Sequence, residues 1–260
     1  MDFAISGPTL PIDRKKSLNM VCGAFYIPKE KSRTPQGDDA HFICEESQTI
    51  GVADGVGGWW KSGVDAGEYA RQLITNCVNA IQNKARSDVD PRKVLDEAYS
   101  KTNVKGSSTA CILTLKDNHL HAANVGDSGF LLIREGEDVY KSPIQQRRFN
   151  HPYQLGNTSK DKPSSAQIFE IAVRAGDLIV VGTDGLFDNM FANQIEDVVK
   201  MVSRDCVDVE HVARAIAEHA YYNSVDAAAG TPFTEASLMA GKDRFGGKED
   251  DITVIVAYIL

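Results

Sequence analysis

The order of strands and helices along this sequence of 260 residues predicts an α+β fold. Predicted strands and predicted helices come in separate blocks, and a single strand closes the chain. A doubly wound parallel sheet would alternate strands with helices, so this order excludes it. It favours antiparallel sheets with helices packed outside them. No linker, repeat or low-complexity tract divides the chain, and we predict one domain over residues 1–260 with an irregular lead-in over 1–19.

Three apolar segments predict the first strands, over residues 20–28, 40–44 and 49–54. The third runs through Ile50, Val52 and Ala53 and stops at Asp54, so it has the composition of a short buried strand. Three glycines follow within four positions and let the backbone turn sharply and approach another group closely. A strand that delivers a carboxylate to a glycine-lined turn is suited to holding a metal or a phosphate.

Apolar residues at a spacing of three to four predict two consecutive helices, over residues 66–81 and 91–102. Asp65 is placed to cap the first helix, and Asp90-Pro91 begins the second in the preferred order of a cap followed by proline. Consecutive helices of this length indicate a helical hairpin that lies over a sheet.

The middle of the chain predicts two hairpins and then a long loop. The first hairpin turns at Asp117-Asn118 and the second between Glu135 and Asp138. The predicted strands cover residues 107–116, 119–124, 130–134 and 139–141. Residues 143–166 are polar and contain three prolines, which is typical of a surface loop beside an active site.

Two further strands, two helices and a final strand complete the prediction. The strands cover residues 167–173 and 178–181, and the second leads into Thr183-Asp184-Gly185. Asn193 is predicted to cap the next helix with Glu196 at the capping-box position, and Asp208 to begin another. Residues 227–248 are predicted as loop with a short helix, and residues 251–259 as the last strand.

Charge and composition exclude several classes of function. The formal net charge is −8, which disfavours nucleic acid or an anionic membrane as the main partner. The five cysteines are odd in number and widely spaced, as in a reduced intracellular protein. No apolar run approaches the roughly 18 residues of a membrane span, so we expect no membrane insertion. We expect a monomer in an intracellular compartment.

Five acidic stations share one pattern, because each lies where a predicted strand begins or ends. The stations are Asp38-Asp39, Asp54-Gly55, Asp127, Asp184-Gly185 and Asp250-Asp251. A single Asp-Gly after a strand is usually only a turn. If the five stations converge, however, the carboxylates repel one another unless cations neutralise them. Oxygen ligands without histidine or cysteine select hard ions such as Mg²⁺ or Mn²⁺.

These stations and their neighbours resemble the metal-dependent PP2C (PPM) serine/threonine protein phosphatases. The matching segments span nearly the whole chain in the order found in that family. They are GDD (37–39), VADGVGG (52–58), GSSTA (106–110), NVGDS (124–128), TDGLFD (183–188) and DDITV (250–254). The stretches DGVGGWW and GGKEDDITV are similar to the subgroup of the T-cell-activation PP2C-like mitochondrial phosphatase and its plant organelle relatives. That likeness implies a mitochondrial or plastid location, with the cytoplasm as the alternative.

The resemblance implies an α-β-β-α sandwich of two antiparallel sheets flanked by helix pairs. It implies two Mn²⁺ or Mg²⁺ ions and direct attack of a water that bridges them on phosphoserine or phosphothreonine of a phosphoprotein substrate. Asp54 and Asp184 would be the catalytic ligands. In the family pattern Asp54 would bridge both ions, Asp184 and Asp250 would bind one of them, and Asp38 and the Gly55 carbonyl would bind the other. Asp39 would support these ligands from behind without touching an ion. Asp127 would bind a weaker third ion.

Two departures from the family pattern leave alternatives open. Val56 stands where many members have a histidine proposed as general acid, and Thr34 stands where many have a phosphate-binding arginine. Arg33, one residue earlier, is the candidate for binding the substrate phosphate. Loss of a general acid costs about 10²–10⁴-fold in rate, so a pseudophosphatase that only binds its partner is the alternative function. An Asp-nucleophile phosphohydrolase is disfavoured because Asp54-Gly55-Val56 lacks the second aspartate.

Overall fold

A computed structural model describes residues 17–29, 34–82, 84–203 and 208–260. Within that part of the chain, two five-stranded antiparallel sheets pack face to face and helices cover their outer faces. The predicted α+β class is therefore confirmed. The strands are β1 (Met20–Ile27), β2 (Asp39–Cys44), β3 (Thr49–Asp54), β4 (Ser107–Ser108), β5 (Ala110–Lys116), β6 (His119–Val125), β7 (Gly129–Arg134), β8 (Glu137–Lys141), β9 (Gln146–Arg148), β10 (His151–Pro152), β11 (Leu155–Gly156), β12 (Gln167–Ala172), β13 (Leu178–Gly182) and β14 (Ile252–Ile259). The helices are α1 (Ala66–Ile81), α2 (Pro91–Lys101), α3 (Asp184–Phe187), α4 (Ala192–Val202), α5 (Val209–Val225) and α6 (Pro232–Met239).

The first sheet has the strand order β1-β14-β13-β7-β8, and the second has the order β12-β6-β5-β3-β2. Chain neighbours pair through tight turns, and the turn at Asp117-Asn118 has φ values of 49° and 61°. Positive φ at both central residues is the geometry that matches the twist of a hairpin. The inner faces of both sheets form one apolar layer that includes Val52, Leu113 and Ile255, all of which are buried.

Each outer face of the sandwich is covered by its own helices. On the second sheet, α1 and α2 pack their apolar faces, with Leu73 and Leu95 fully buried. On the first sheet, α4 and α5 pack in the same way, with Ile195 and Ile216 fully buried. Three of the predicted caps are observed, since the carboxylates of Asp65, Asp90 and Asp208 accept backbone N–H groups at the starts of α1, α2 and α5.

The topology brings the acidic stations to one end of the sandwich. Asp39 and Asp54 are register partners on the adjacent strands β2 and β3 of the second sheet. On the first sheet, β13 ends next to Asp184 and its neighbour β14 begins just after Asp250. Asp127 lies in the turn from β6 to β7, where the chain crosses from one sheet to the other.

The segment predicted as a loop, residues 143–166, contains short pieces of strand. β9 pairs with β10, and β11 pairs with β4 in the register Leu155↔Ser108. Leu155 is fully buried in the core beneath α1 and α2, which ties this segment to the body of the domain. These strands are only two or three residues long, so they show no alternation of apolar and polar residues that would reveal them in the sequence.

Two details of the fourth helix differ from the prediction. Helix α4 begins at Ala192, and the side-chain oxygen of Gln194 accepts the backbone N–H of Phe191 at 2.9 Å. Asn193 is therefore not the cap. Glu196 instead accepts the backbone N–H of Asp138 at 3.0 Å, which fastens the helix to β8.

Two further features concern the cysteines and the helices of the described residues. Cys22, Cys44, Cys77 and Cys111 are free thiols, and Cys206 lies outside the described part of the chain. A search of the described helices found none with both the length and the apolar character needed to cross a bilayer.

Candidate active site

Three of the five acidic stations line a cavity of ≈ 570 Å³ at the end of the sandwich. Asp54, Asp184 and Asp250 line this cavity. The carboxylates of Asp54, Asp127 and Asp184 each offer an oxygen within 4.8 Å of the other two. The convergence that the strand ends predict is therefore observed for these three side chains.

The turn after β3 is held by backbone contacts from three directions. Gly55 N–H donates to the Asp38 carbonyl at 3.1 Å, and Val56 N–H donates to the Ser107 carbonyl at 3.0 Å. Thr109 N–H donates to the Asp54 carbonyl at 2.9 Å, and the Thr109 hydroxyl accepts the Asp54 N–H at 3.1 Å. The Asp54 carboxylate is therefore presented on a fixed backbone.

Gly55→Ala is expected to destabilise the protein. A Cβ at this position would lie 2.3 Å from the Ala66 carbonyl oxygen and 2.5 Å from the Asp38 carbonyl oxygen. Both atoms belong to the backbone, so relief requires a main-chain shift, at a cost of about 1–3 kcal/mol. Chemical denaturation should show this loss of unfolding free energy. Gly230→Ala is the matched control, because its Cβ would meet no atom within 4 Å. A denaturation midpoint of Gly55→Ala equal to that of the wild type would contradict the prediction.

Asp38 is buried and already holds two donors. Its carboxylate accepts the Lys29 ammonium at 2.7 Å and the Trp60 indole N–H at 3.1 Å. Its backbone N–H donates to Asp251 at 3.1 Å. The Asp251 carboxylate also accepts the Tyr26 hydroxyl at 2.8 Å, so it connects β1, the first acidic station and the start of β14.

Asp39 lies one layer behind the cavity. One of its carboxylate oxygens accepts hydrogen bonds from the hydroxyls of Thr183 and Thr253, at 2.8 Å and 2.7 Å. These two threonines flank the acidic stations on β13 and β14. Asp39 therefore links the two sheets at the depth of the site.

Lys248 is the principal cation among the carboxylates of the first sheet. Lys248 is 8% exposed, and its ammonium group contacts the Asp184 carboxylate. The ammonium nitrogen also lies 2.8 Å from the Asp188 carboxylate and 3.3 Å from the Asp250 carboxylate. Asn189 accepts the Lys248 backbone N–H at 2.9 Å and fixes the segment. Lys29 is the second such cation, and its ammonium lies 3.5 Å from Asp250 in addition to its contact with Asp38.

Burial and mutual repulsion shift the pKa of most of these carboxyls upward. Burial, then the Asp184 charge, raise the pKa of Asp54 and of Asp127 well above the ordinary value. Burial raises the pKa of Asp184 to about 6 against the opposing charge of Lys248. Asp250 is the exception, because Lys248 and Lys29 outweigh its burial and lower its pKa. The site therefore favours additional positive charge.

The metal-free protein should lose stability as the pH rises through about 6. The pKa of Asp184 is about 6 in the folded protein against an ordinary 3.8, so between these values the folded state binds more protons than the unfolded state. Unfolding free energy then falls with rising pH across that interval. His41 has the opposite slope because burial lowers its pKa. Denaturation in EDTA across this pH range should be measured for the wild type and for Asp184→Asn, because the difference between them is the contribution of Asp184. Identical slopes of unfolding free energy against pH in the two proteins would contradict the prediction.

The donor set fits a hard divalent cation. Within the described residues, one carboxylate oxygen each of Asp39, Asp127 and Asp184 is buried without a hydrogen-bond partner. Unpartnered buried carboxylate oxygens are costly, and an ion would satisfy them. The metal-competent cluster found among the described residues consists of carboxylates, which suits Mg²⁺ or Mn²⁺.

The structure places the predicted ligands in two groups. Asp54, Asp127 and Asp184 cluster together, whereas Asp38 and Asp250 lie beside Lys29. Gly55 follows Asp54 on the cavity wall. Arg33 lies outside the described residues, so its predicted contact with phosphate stays a prediction, as do the individual ligand roles.

Three contacts were not foreseen from the sequence. Lys29 contacts Asp38, Lys248 contacts Asp184, and the Trp60 indole donates to Asp38. Lys248 stands two residues before Asp250 in the GGKEDD stretch, and this proximity was the available signal. Nothing in the local sequence around Lys29 points to a contact with residues more than 200 positions away.

Comparison with known proteins establishes the family. The family model of stage II sporulation protein E (SpoIIE) matches residues 45–259. The human "Protein phosphatase PTC7 homolog" is 37% identical over 241 residues, covering 86% of this chain and 79% of that protein. The chain belongs to the PP2C (PPM) phosphatase family. Among its PP2C relatives, "Probable protein phosphatase 2C 55" of Arabidopsis thaliana is 48% identical over 245 residues, 94% of this chain. The chain spans 52% of the length of that relative.

Solved PP2C structures have the same fold. The photosystem II phosphatase PBCP superposes with a TM-score of 0.85 at 30% identity, covering 92% of this chain and 98% of PBCP. The catalytic domain of the serine/threonine phosphatase PstP, solved with two manganese ions, superposes with a TM-score of 0.66 at 18% identity, covering 94% of this chain and all of that domain. The second likeness shows the fold alone. Both agree with the sandwich that the sequence resemblance implies.

Proposed function

We propose that this protein is a metal-dependent serine/threonine phosphatase that hydrolyses phosphoserine and phosphothreonine in proteins. The observation that carries the proposal is the convergence of the Asp54, Asp127 and Asp184 carboxylates within 4.8 Å of one another, with Asp54 and Asp184 lining a cavity at the end of a PP2C sandwich. The names of the relatives support the reaction class. The substrate would be a phosphoprotein.

Two Mn²⁺ or Mg²⁺ ions would be held by the predicted carboxylates, and Asp127 would serve a weaker third ion. Asp54 would contribute to both ions, Asp184 and Asp250 to one, and Asp38 with the Gly55 carbonyl to the other. When bound, such ions activate water for direct attack on phosphorus and stabilise the charge of the transition state. The unpartnered oxygens of the cluster and the upward pKa shifts support this assignment.

The residues behind the ligands would hold them in place. Asp39 orients the strand ends through Thr183 and Thr253, and Asp251 fixes the Asp38 backbone. Outer partners of this kind typically contribute about 10–100-fold to metal affinity or activity. The ammonium groups of Lys29 and Lys248 lie on the cavity wall, where they would attract the anionic phosphate.

Val56 supports the alternative of a pseudophosphatase. Its side chain is aliphatic and lines the cavity where many relatives carry a histidine. Without a general acid, hydrolysis should depend strongly on the leaving group, and aryl phosphates should react faster than phosphoserine. A protein that binds phosphopeptides with ions present but never releases phosphate would be the pseudophosphatase.

The experiment that tests the proposal is phosphate release from phosphoserine, phosphothreonine and phosphotyrosine peptides, with Mn²⁺, Mg²⁺ or EDTA. We expect release from the first two peptides with either metal, none in EDTA, and no covalent phosphoenzyme on acid quenching. Trapping of an aspartyl phosphate would favour an Asp-nucleophile mechanism instead. The organelle location implied by the subgroup would be tested separately by imaging of the full-length protein.

A further inference from the structure

A second depression opens beside the active-site cavity, and we call it the side groove. Its volume is ≈ 310 Å³, and its walls include Trp59, Arg147 and Lys160. His151, Pro152 and Gln154 line both the side groove and the active-site cavity. A peptide that places its phosphorylated residue in the cavity can therefore continue across this shared wall into the side groove.

The wall nearest the catalytic turn is fixed by a chain of hydrogen bonds. The Trp59 indole N–H donates to the Ser107 hydroxyl at 2.7 Å, and that hydroxyl donates to the Gln154 side-chain oxygen at 2.6 Å. Trp59 belongs to the turn that follows Asp54, and Gln154 belongs to the segment of residues 143–166. The groove is therefore built between the catalytic turn and that segment, and its shape does not depend on freely rotating side chains.

The charge of the side groove is opposite to that of the protein. Two basic residues, Arg147 and Lys160, and one acidic residue, Asp161, line the side groove, in a chain whose formal net charge is −8. The Arg147 guanidinium stacks 4.2 Å from the Tyr153 ring centroid and contacts the buried Asp161 carboxylate, which fixes its direction. Lys160 is exposed and forms no ion pair with the residues that the structure describes. Lys105 lies 5.8 Å from the Trp59 ring centroid and adds a third cation at the rim.

We propose that the side groove binds an anionic side chain of the substrate, next to the phosphorylated residue that occupies the cavity. This inference rests on the proposed phosphatase function and names the class of substrate. Lys160 and Arg147 would contact the anion, and the Trp59 ring and the hydroxyls of Thr158 and Ser159 would complete the walls. A glutamate or aspartate and a second phosphate share this chemistry, and the phosphate carries the larger charge.

The test compares phosphothreonine peptides that differ at one position. The variable position holds a neutral residue in the first series, a glutamate in the second, and a non-hydrolysable phosphonate that stands in for a second phosphate in the third. In each series this position is moved along both sides of the phosphothreonine. With Mn²⁺ at low salt, kcat/KM should rise about two- to fivefold over the neutral peptide at the matching position. The preference should disappear near about 1 M ionic strength, where the Debye length is about 3 Å. A larger gain with phosphonate than with glutamate would identify a site for a second phosphate, and equal gains a site for a carboxylate.

Charge reversal locates the contact. Lys160→Glu should abolish the preference for acidic peptides and favour peptides with a lysine at the same position, and Lys160→Gln should give an intermediate ratio. Lys93→Glu makes the same charge change on the exposed face of α2 and should leave the ratio as in the wild type. Equal kcat/KM for acidic and neutral peptides, or equal ratios in Lys160→Glu and Lys93→Glu, would overturn the inference while turnover itself persists. Phosphate release from no peptide would overturn the proposed function as well.

Discussion

Asp54→Asn should lower phosphatase activity by more than about 100-fold, the upper range for losing only an outer partner of a metal ligand. Asp54 is expected to serve both ions, and its carboxylate lies with those of Asp127 and Asp184 in the one metal-competent cluster found among the described residues. The substitution retains the size of the side chain and removes its charge. Steady-state phosphate release with saturating Mn²⁺ measures the effect.

The controls for Asp54→Asn separate a lost ligand from a lost fold. Because burial and repulsion disfavour the ionised Asp54 carboxyl in the metal-free protein, the variant should be at least as stable as the wild type in EDTA. It should also fail to gain stability when Mn²⁺ is added. Asp96→Asn removes the same charge from the exposed face of α2 and should change neither property. An active Asp54→Asn protein would show that this carboxylate is not essential.

Lys248→Met should destabilise the metal-free protein by about 3–5 kcal/mol, the usual result of removing one partner from a buried ionic cluster. Lys248 is 8% exposed, and its ammonium contacts Asp184, Asp188 and Asp250. Without it, these carboxylates lose their nearest compensating charge. Methionine retains most of the volume, so the loss is chiefly electrostatic. Chemical denaturation in EDTA measures the difference.

Divalent metal should reduce the stability difference between Lys248→Met and the wild type. An ion at Asp184 and Asp250 would replace the lost positive charge, and binding to the folded state alone adds about 2.7 kcal/mol at a concentration of 100 times Kd. Lys101→Met is the matched control. Among the described residues Lys101 forms an exposed i,i+4 ion pair with Glu97, so the substitution should change stability by less than about 0.5 kcal/mol. A Lys248→Met protein as stable as this control in EDTA would show that Lys248 does not compensate the acidic cluster.

Local patterns predicted those parts of the site that are carried by strand ends. The run from Thr49 to Asp54 is β3 with the same bounds. Asp54 and Asp184 come together because β3 of the second sheet and β13 of the first sheet finish at the same end of the sandwich. Periodicity and caps also predicted α1, α2 and α5. The individual strands, helices and caps depend on residues within a few positions of one another, and sequence periodicity reports on that range.

Long-range contacts could not be predicted in the same way. Lys29 and Lys248 lie in the acidic cluster because strands from both ends of the chain, β1 and β14, are paired. Trp60 reaches Asp38 only because of the 3-10 turn of Gly57–Ser62. The predicted cap at Asn193 was wrong because Gln194 competes for the same helix start. The contacts of Lys29, Lys248 and Trp60 depend on tertiary placement, whereas the cap of α4 is decided by local competition between neighbouring polar side chains.

The most direct test of a two-ion phosphatase is a titration of chelator-treated protein with Mn²⁺, in which bound metal and phosphate release are measured on the same samples. Phosphate release from a phosphothreonine peptide should be absent without metal and should appear as the second ion binds, since both ions act on one reaction. Asp54→Asn should lose tight binding and turnover together. Full phosphate release without bound metal, or tight binding of both ions with no release from any phosphopeptide or aryl phosphate, would contradict the account.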